Sequence, residues 1–484
     1  VSPATRRQQR VTFAVLTVAV GSFALLQSLI VPVLAQIQVE YDTDQSTVTW
    51  VLTAYLLSAS IATPLLGRIG DVVGKKRMLV ATLVALSVGS LMAALAPSIG
   101  WLIAARVVQG AGGGVLPLSF GIIRDEFTAK MTNALSVLAS LTAVGFGFGI
   151  VVAGPIVDAL GYHWLFWLPM VVTAVAAVAA VALIPESPRG APERLPLLPA
   201  VLLAGWLLTL LLPVSQGNKW GWSSPAVLVL LAVSAALIAA WVRLETRVRV
   251  PLIDMRMMRL RGVWTTNLVT LFVGFGMFAS FAFLPQLLQT PVASGYGFGA
   301  SITESGRLLL PSAVGSFAVG FLTAPLMARF GARPVILTGT ILSALSYVAM
   351  ALFHGSTGEL LVGITLQGLG TGLVISSSAS VVIASVPAHQ TGVASGMNAN
   401  IRTIGGSIGS AVTAGIVTAH LGPAGFPDEA GYTVAFLVLA GCLVVASVAA
   451  LAIPDIHRTG RSPAPEGAAP VHERPLEAER STVR

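Results

Sequence analysis

The chain has 484 residues, 55% of them hydrophobic and only 10% charged, more apolar surface than a water-soluble domain of this size hides in one core. A net charge of +8 raises nucleic acid as a partner for a soluble protein, but in so apolar a chain the placement of the charges matters more than their sum. A single cysteine, Cys442, excludes an intramolecular disulfide framework and a cysteine-built zinc cluster. The six histidines lack His-Glu-x-x-His spacing, and no Gly-x-x-x-x-Gly-Lys-Ser/Thr loop is present. No metal, cofactor, nucleic-acid partner or enzymatic activity is expected; membrane lipids are the surroundings.

Arg6, Arg7 and Arg10 precede an apolar run from Val11 to about Ile37, with Val33-Leu34-Ala35 imitating a signal cleavage site. A signal core is roughly 7 to 15 residues, whereas about 20 suits a membrane span, so a retained first helix is expected. Further runs fall near 47–66, 78–96, 100–122, 133–156 and 163–184, giving an N-terminal six-helix bundle over 1–184. The segment 185–261 holds two inserted spans, near 196–213 and 224–242, between polar linkers. Runs near 263–288, 304–327, 335–354, 358–384, 394–419 and 431–453 build a second six-helix bundle over 262–453. The tail 454–484, rich in Pro, Arg and Glu, is expected to be disordered and cytoplasmic. The predicted fold is an all-α polytopic membrane protein with fourteen spans. Of the 28 lysines and arginines, all but Lys219, Arg307, Arg106 and Arg402 fall on one side, which places both termini in the cytoplasm.

Between spans 2 and 3 lies Gly67-Arg68-Ile69-Gly70-Asp71-Val72-Val73-Gly74-Lys75-Lys76-Arg77, which reads as a tight cytoplasmic turn. Its glycines permit a close backbone, its cations hold it inside, and Asp71 offers a carboxylate to a helix N-terminus or an arginine. The chain also repeats itself. Gln109-Gly110-Ala111-Gly112 parallels Gln367-Gly368-Leu369-Gly370, and Pro64–Gly70 parallels Pro325–Gly331, with Pro-to-Gln spacings of 45 and 42 residues. Two parallel halves of that kind rock around a site near the bilayer midplane.

The Gly67–Arg77 segment resembles motif A of the major facilitator superfamily, with Gly67, Ile69, Asp71, Gly74, Lys75 and Lys76 at its fixed positions. Trp50-Val51-Leu52-Thr53-Ala54-Tyr55, Arg106-x-x-Gln109-Gly110, Pro251-Leu252-Ile253-Asp254 and Leu284-Pro285-Gln286 narrow the resemblance to its fourteen-span drug:proton antiporter branch. The resemblance implies a multi-pass protein of a bacterial-type plasma membrane, expected as a monomer, that exports drug-like or antibiotic molecules in exchange for protons. Two departures stand out. Gln27 replaces the first-span aspartate of that branch, and a glutamine cannot titrate. Gly154-Pro155 keeps part of the antiporter motif but continues Ile156-Val157-Asp158-Ala159, without its paired glycines. A proton-independent facilitator or importer of a metabolite is the alternative, and a non-transporting scaffold or sensor a third reading.

The expected substrate and coupling cavity comprises Gln27, Trp50, Tyr55, Arg106, Gln109 and Gly110. Arg106 lies within a span, where an unpaired cation costs roughly 2.5 to 3.5 kcal/mol, so it should face a wet cavity or a partner, or snorkel outward. Arg402, near the inner end of span 13, admits both readings alike. Phe120, Phe146 and Phe148 join Trp50 and Tyr55 as aromatic lining or as interface anchors. Gly-x-x-x-Gly pairs at 110/114, 145/149, 368/372 and 405/409 are expected as packing seams. Gly154-Pro155 should bend or end span 5. No acid falls in the middle of a span, so Asp158 with His163, and Glu304, are the candidate proton sites at the outer ends, against a plain reading as solvated loop groups.

Overall fold

The computed structural model describes residues 3–43, 45–127, 131–186, 197–248, 251–387, 390–419 and 428–454. The expected disordered tail, and the linker from 187 to 196, lie outside the described residues. The first half runs α1 (Pro3–Ser28), α2 (Leu34–Glu40), α3 (Gln45–Val73), α4 (Lys75–Ala94), α5 (Ile99–Gln109), α6 (Val115–Glu126), α7 (Met131–Leu160) and α8 (Trp164–Leu183). An inserted hairpin, α9 (Leu197–Trp220) and α10 (Pro225–Glu245), leads through short α11 (Met255–Met258) into the second half. That half is α12 (Arg261–Gln289), α13 (Ile302–Phe330), α14 (Ala332–Leu352), α15 (Thr357–Ala384), α16 (Thr391–Ala419) and α17 (Glu429–Ala450). Helices suit an apolar solvent because each satisfies its own backbone polar groups.

By length and hydropathy eleven described helical segments can cross a membrane, or twelve with α7 taken as one bent span. α5 and α6 form a single span joined by a 3₁₀ turn at Gly110–Gly114, where four glycines lower helix propensity. The apolar stretch of α9, Leu198–Val214, is shorter, and α16, with Asn398, Asn400 and Arg402, is not among the apolar spans.

Several expectations shift. The first apolar run breaks after Ser28, and Pro32 starts a 3₁₀ turn there. α7 bends by 41° between Thr142 and Gly147, not at Gly154-Pro155. Gly145, Gly147 and Gly149 weaken the helix at the bend, whereas close packing of Thr303 on Gly154 carries it past Pro155. The Gly67–Arg77 segment is no loop. α3 continues helical to Val73, and Gly74 alone, at φ 116°, makes the turn into α4. Gly331, at φ 88°, makes the equivalent turn between α13 and α14. Counted from these turn glycines, Gln109 and Gln367 follow at 35 and 36 residues, so the two halves match better than a Pro64–Pro325 register allows. Pro64 sits about one helical turn further from its turn than Pro325 does.

The halves meet where α3 packs on α16 and α7 on α13, with α15 against α7 and α6 against α16; α9 rests on α3 and α16. All four glycine pairs are seams. Gly110 and Gly114 meet Ser58 and Leu66 of α3, and Gly145 and Gly149 meet Ala24 and Ser28 of α1. Gly368 and Gly372 meet Ser312 and Ser316 of α13, and Gly405 and Gly409 meet Leu271 and Phe275 of α12. Membrane helices gain no hydrophobic drive from one another, so such close approach supplies the packing. A Cβ on Gly409 falls 2.2 Å from the Phe275 carbonyl oxygen, a backbone atom that cannot swing aside, while one on Gly441 meets nothing within 4 Å. Gly409→Ala is therefore expected to destabilise the detergent-purified protein by roughly 1–3 kcal/mol in thermal melts, and Gly441→Ala to leave the melt unchanged.

Candidate functional site

The last turns of α3 form one pole of the interface between the halves. A Cβ at Gly67 would sit 2.7 Å from the Gly392 carbonyl oxygen, so the start of α16 lies directly against the end of α3. Asp71 lies close against that N-terminus, its carboxylate oxygens 3.0 and 3.1 Å from where Gly392 would carry a Cβ, buried and without a hydrogen bond among the described residues. A helix N-terminus presents free amides and partial positive charge, which is what a carboxylate there meets. Arg124, near the end of α6, crosses between halves, donating to the carbonyls of Ile383 (2.7 Å) and Val386 (2.8 Å) and to Thr391 Oγ1 (2.6 Å). Lys75 donates to both oxygens of Asp125, at 2.8 and 3.0 Å, while Lys76 and Arg77 reach Glu186 at 3.4 and 3.6 Å. Of the expected motif residues, Gly67, Asp71, Gly74 and Lys75 thus gather at the basic end. Gly154 and Pro155 sit far along α7 from it.

Arg106, Gln109 and Tyr55 come together as expected, but inside the first half rather than on an open cavity. Arg106 is fully buried. Its Nε donates to the Val51 carbonyl at 3.0 Å, its Nη1 to Gln109 Oε1 at 2.7 Å, and its guanidinium lies 4.2 Å from the centre of the Tyr55 ring. Gln109 Nε2 in turn donates to Ser90 Oγ at 3.0 Å. Gly110 packs on Ser58, whose hydroxyl bonds the Val107 carbonyl at 2.6 Å. The spacing of Arg106, Gln109 and Gly110 on one helix face is as read; the face turns toward α3 and α4 because a cation out of water takes the nearest carbonyl and π-face. In the second half Gln367 is the counterpart, accepting from Ser312 Oγ at 3.2 Å and donating to the Tyr347 hydroxyl at 3.3 Å.

Gln27 faces elsewhere. It lines a void between the halves with Thr142, Met277, Phe278, Phe281, Ile375 and Arg402. A second void shares Ile375 and Arg402 and adds Phe120 and Asn398. A third, near Gln367, is walled by Gly147, Ser312 and Phe281 among others. Trp50 lies away from all three, packed with Leu57 and the inserted hairpin's Trp206 and Leu207. Phe148 is exposed, and the side chain of Phe146 lies outside the described residues.

At the other end, Asp158 is exposed and accepts from Thr303 Oγ1 across the halves at 3.5 Å. His163 stacks on Tyr162 at 4.0 Å between ring centres, so the expected Asp158–His163 pair is replaced by a histidine–tyrosine contact. Burial, then the hydrogen bond it gives Tyr41, pushes the Tyr162 phenol above its ordinary value. Glu304 closes a capping box with Ser301 at the start of α13, and Glu359 does the same with Ser356 for α15. Two residues escaped the sequence reading. Arg124 seemed one more loop cation. Glu245, 3% exposed, ends α10 buried near Leu252, Ile253, Trp241 and Arg68 of α3, its carboxylate oxygens without a hydrogen bond among the described residues.

A family model described as Major Facilitator Superfamily matches residues 16–291 and 266–483. The chain belongs to the major facilitator superfamily. Among its relatives are the multidrug transporter protein MdtP of Bacillus subtilis, 26% identical over 78% of this chain and 70% of the relative, and the multidrug resistance protein B homolog of Mycobacterium tuberculosis, 28% identical over 78% and 71%. The tetracenomycin C resistance and export protein of Streptomyces glaucescens is 27% identical over 88% of this chain and 80% of its own length. The human organic anion transporter MFSD10 (TETRAN) shares the fold, at a TM-score of 0.63 and 17% identity, over 93% of this chain and 100% of that one. A major facilitator superfamily protein is a secondary transporter of small molecules and not an enzyme.

Because Arg106 serves Val51, Gln109 and Tyr55 at once, Arg106→Gln is expected to destabilise the purified transporter by roughly 3 kcal/mol. The exposed Asp158→Asn should stay within about 0.5 kcal/mol. Thermal melts of both variants in one detergent check the contrast.

Proposed function

We propose that the chain exports drug-like or antibiotic small molecules across a bacterial-type plasma membrane by alternating access, as a monomer with fourteen spans and both termini in the cytoplasm. The observation that carries this reading is the basic-end contact between halves. Arg124 on three acceptors of the α15–α16 region is a polar, directional contact, with the Asp71 carboxylate close beside the α16 N-terminus, and both separate when the halves rock, while the voids between the halves hold the solute. α9 and α16 complete the fourteen spans. α16 is shielded from lipid by α3, α9 and α12, so its polar residues are no bar to crossing. The printed functions of the bacterial relatives, multidrug transport and tetracenomycin C export, support a drug-like solute.

Proton coupling is part of the proposal, with Asp158, His163 and Glu304 as the first sites to change. The facilitator reading keeps one observation in its favour: Gln27 brings an amide, not a carboxylate, to the central void, and no acid is among that void's lining residues. Liposomes containing the purified chain and a pH-sensitive dye separate the two. Addition of candidate drugs is expected to move protons in step with solute, and Asp158→Asn or Glu304→Gln to abolish that flux. Solute movement with no proton flux sinks antiport and establishes the facilitator.

A further inference from the structure

Arg402 poses the opposite problem to Arg106. Both guanidinium groups lie inside the bundle, but Arg106 gives Nε to a carbonyl and Nη1 to an amide and lies over the Tyr55 ring, with Nη2 alone unbonded, whereas no hydrogen bond, ion pair or ring contact of the Arg402 side chain is found among the described residues. The residue is only partly buried, and no acid is among the lining residues of the voids it faces. It opens on the two central voids, whose walls are aromatic, aliphatic or neutral polar. Asn398, one turn before it on α16, is already committed through its amide nitrogen to Asn267 Oδ1 at 2.8 Å and Thr270 Oγ1 at 3.1 Å. A guanidinium with five donors facing voids whose linings carry no acid is matched by an anion, above all by a planar carboxylate.

We propose that Arg402 binds the acidic group of the transported molecule, and that the substrates are aromatic monoanions, carboxylates or ionised phenols. The proposal rests on the transporter reading above. In this arrangement Phe278, Phe281 and Met277 hold the aromatic body, and Gln27, across the void, donates its amide N–H to the anion without adding charge. A carboxylate at position 27 neutralises Arg402 and spoils the site, so Gln27 belongs to the anion preference. Selectivity then comes from one cation in a low-dielectric cavity, where a neutral isostere leaves the guanidinium unpaired and a cation repels it.

The test is equilibrium dialysis of the full chain in zwitterionic phosphatidylcholine nanodiscs against three probes of one shape: 2-naphthoate, its uncharged amide and the corresponding amine. The native protein is expected to bind naphthoate at least about tenfold more tightly than either neighbour. Arg402→Gln should erase that difference and Arg402→Lys keep part of it. Gln27→Asp, which leaves Arg402 in place, should turn the order toward the amine. Arg307→Gln, an exposed cation of α13, should change nothing. Equal binding of the three probes by the native protein overturns the proposal, as does a naphthoate preference that survives both Arg402→Gln and Gln27→Asp. Naphthoate binding by a native protein that moves no solute in liposomes supports the subsite and sinks the transport reading instead.

Discussion

Helices in a lipid solvent gain nothing by hiding apolar side chains from one another, so this bundle depends on how closely its backbones approach. Each half is held by glycines set against the neighbouring helix: α5–α6 on α3, α7 on α1, α15 on α13 and α16 on α12. The same device joins the halves, through Gly67 on Gly392 at one end and Gly154 on Thr303 at the other. Side chains matter to these seams chiefly by being absent, since a Cβ at each of these glycines runs into the facing helix.

Polar contacts then decide where the halves hold. At the basic end the directional contact is one arginine on three acceptors, with a buried carboxylate close beside a helix N-terminus. Glu245 of the inserted hairpin is buried near the same place, close to Arg68. Of the additional helix pair, α9 packs against α3 of one half and α16 of the other.

The two intramembrane arginines show how one residue type serves two ends. Arg106 is closed off by neighbours that take two of its nitrogens and cover its face with a ring, and it fixes α5 to α3. Arg402 faces a void whose other walls are uncharged. Burial cost is common to both, and the difference lies in what each helix faces.

Helicity, the multi-pass character, the small-residue seams and the Arg106–Gln109 pairing follow from the sequence, because hydropathy, residue size and helical spacing act locally along the chain. The internal repeat was legible too, though in a register displaced by a turn, since the turn is marked by the left-handed glycines 74 and 331 and not by the prolines. The site was less so. Gln27 was singled out by type, but Arg402 lies on a helix hundreds of residues away, and only tertiary packing decides that both open on one void while Arg106 and Trp50 do not. The same limit hid the bridging role of Arg124 and the burial of Glu245. A charge in sequence reports its cost out of water, whereas what meets that cost is set by whichever helix the fold brings opposite.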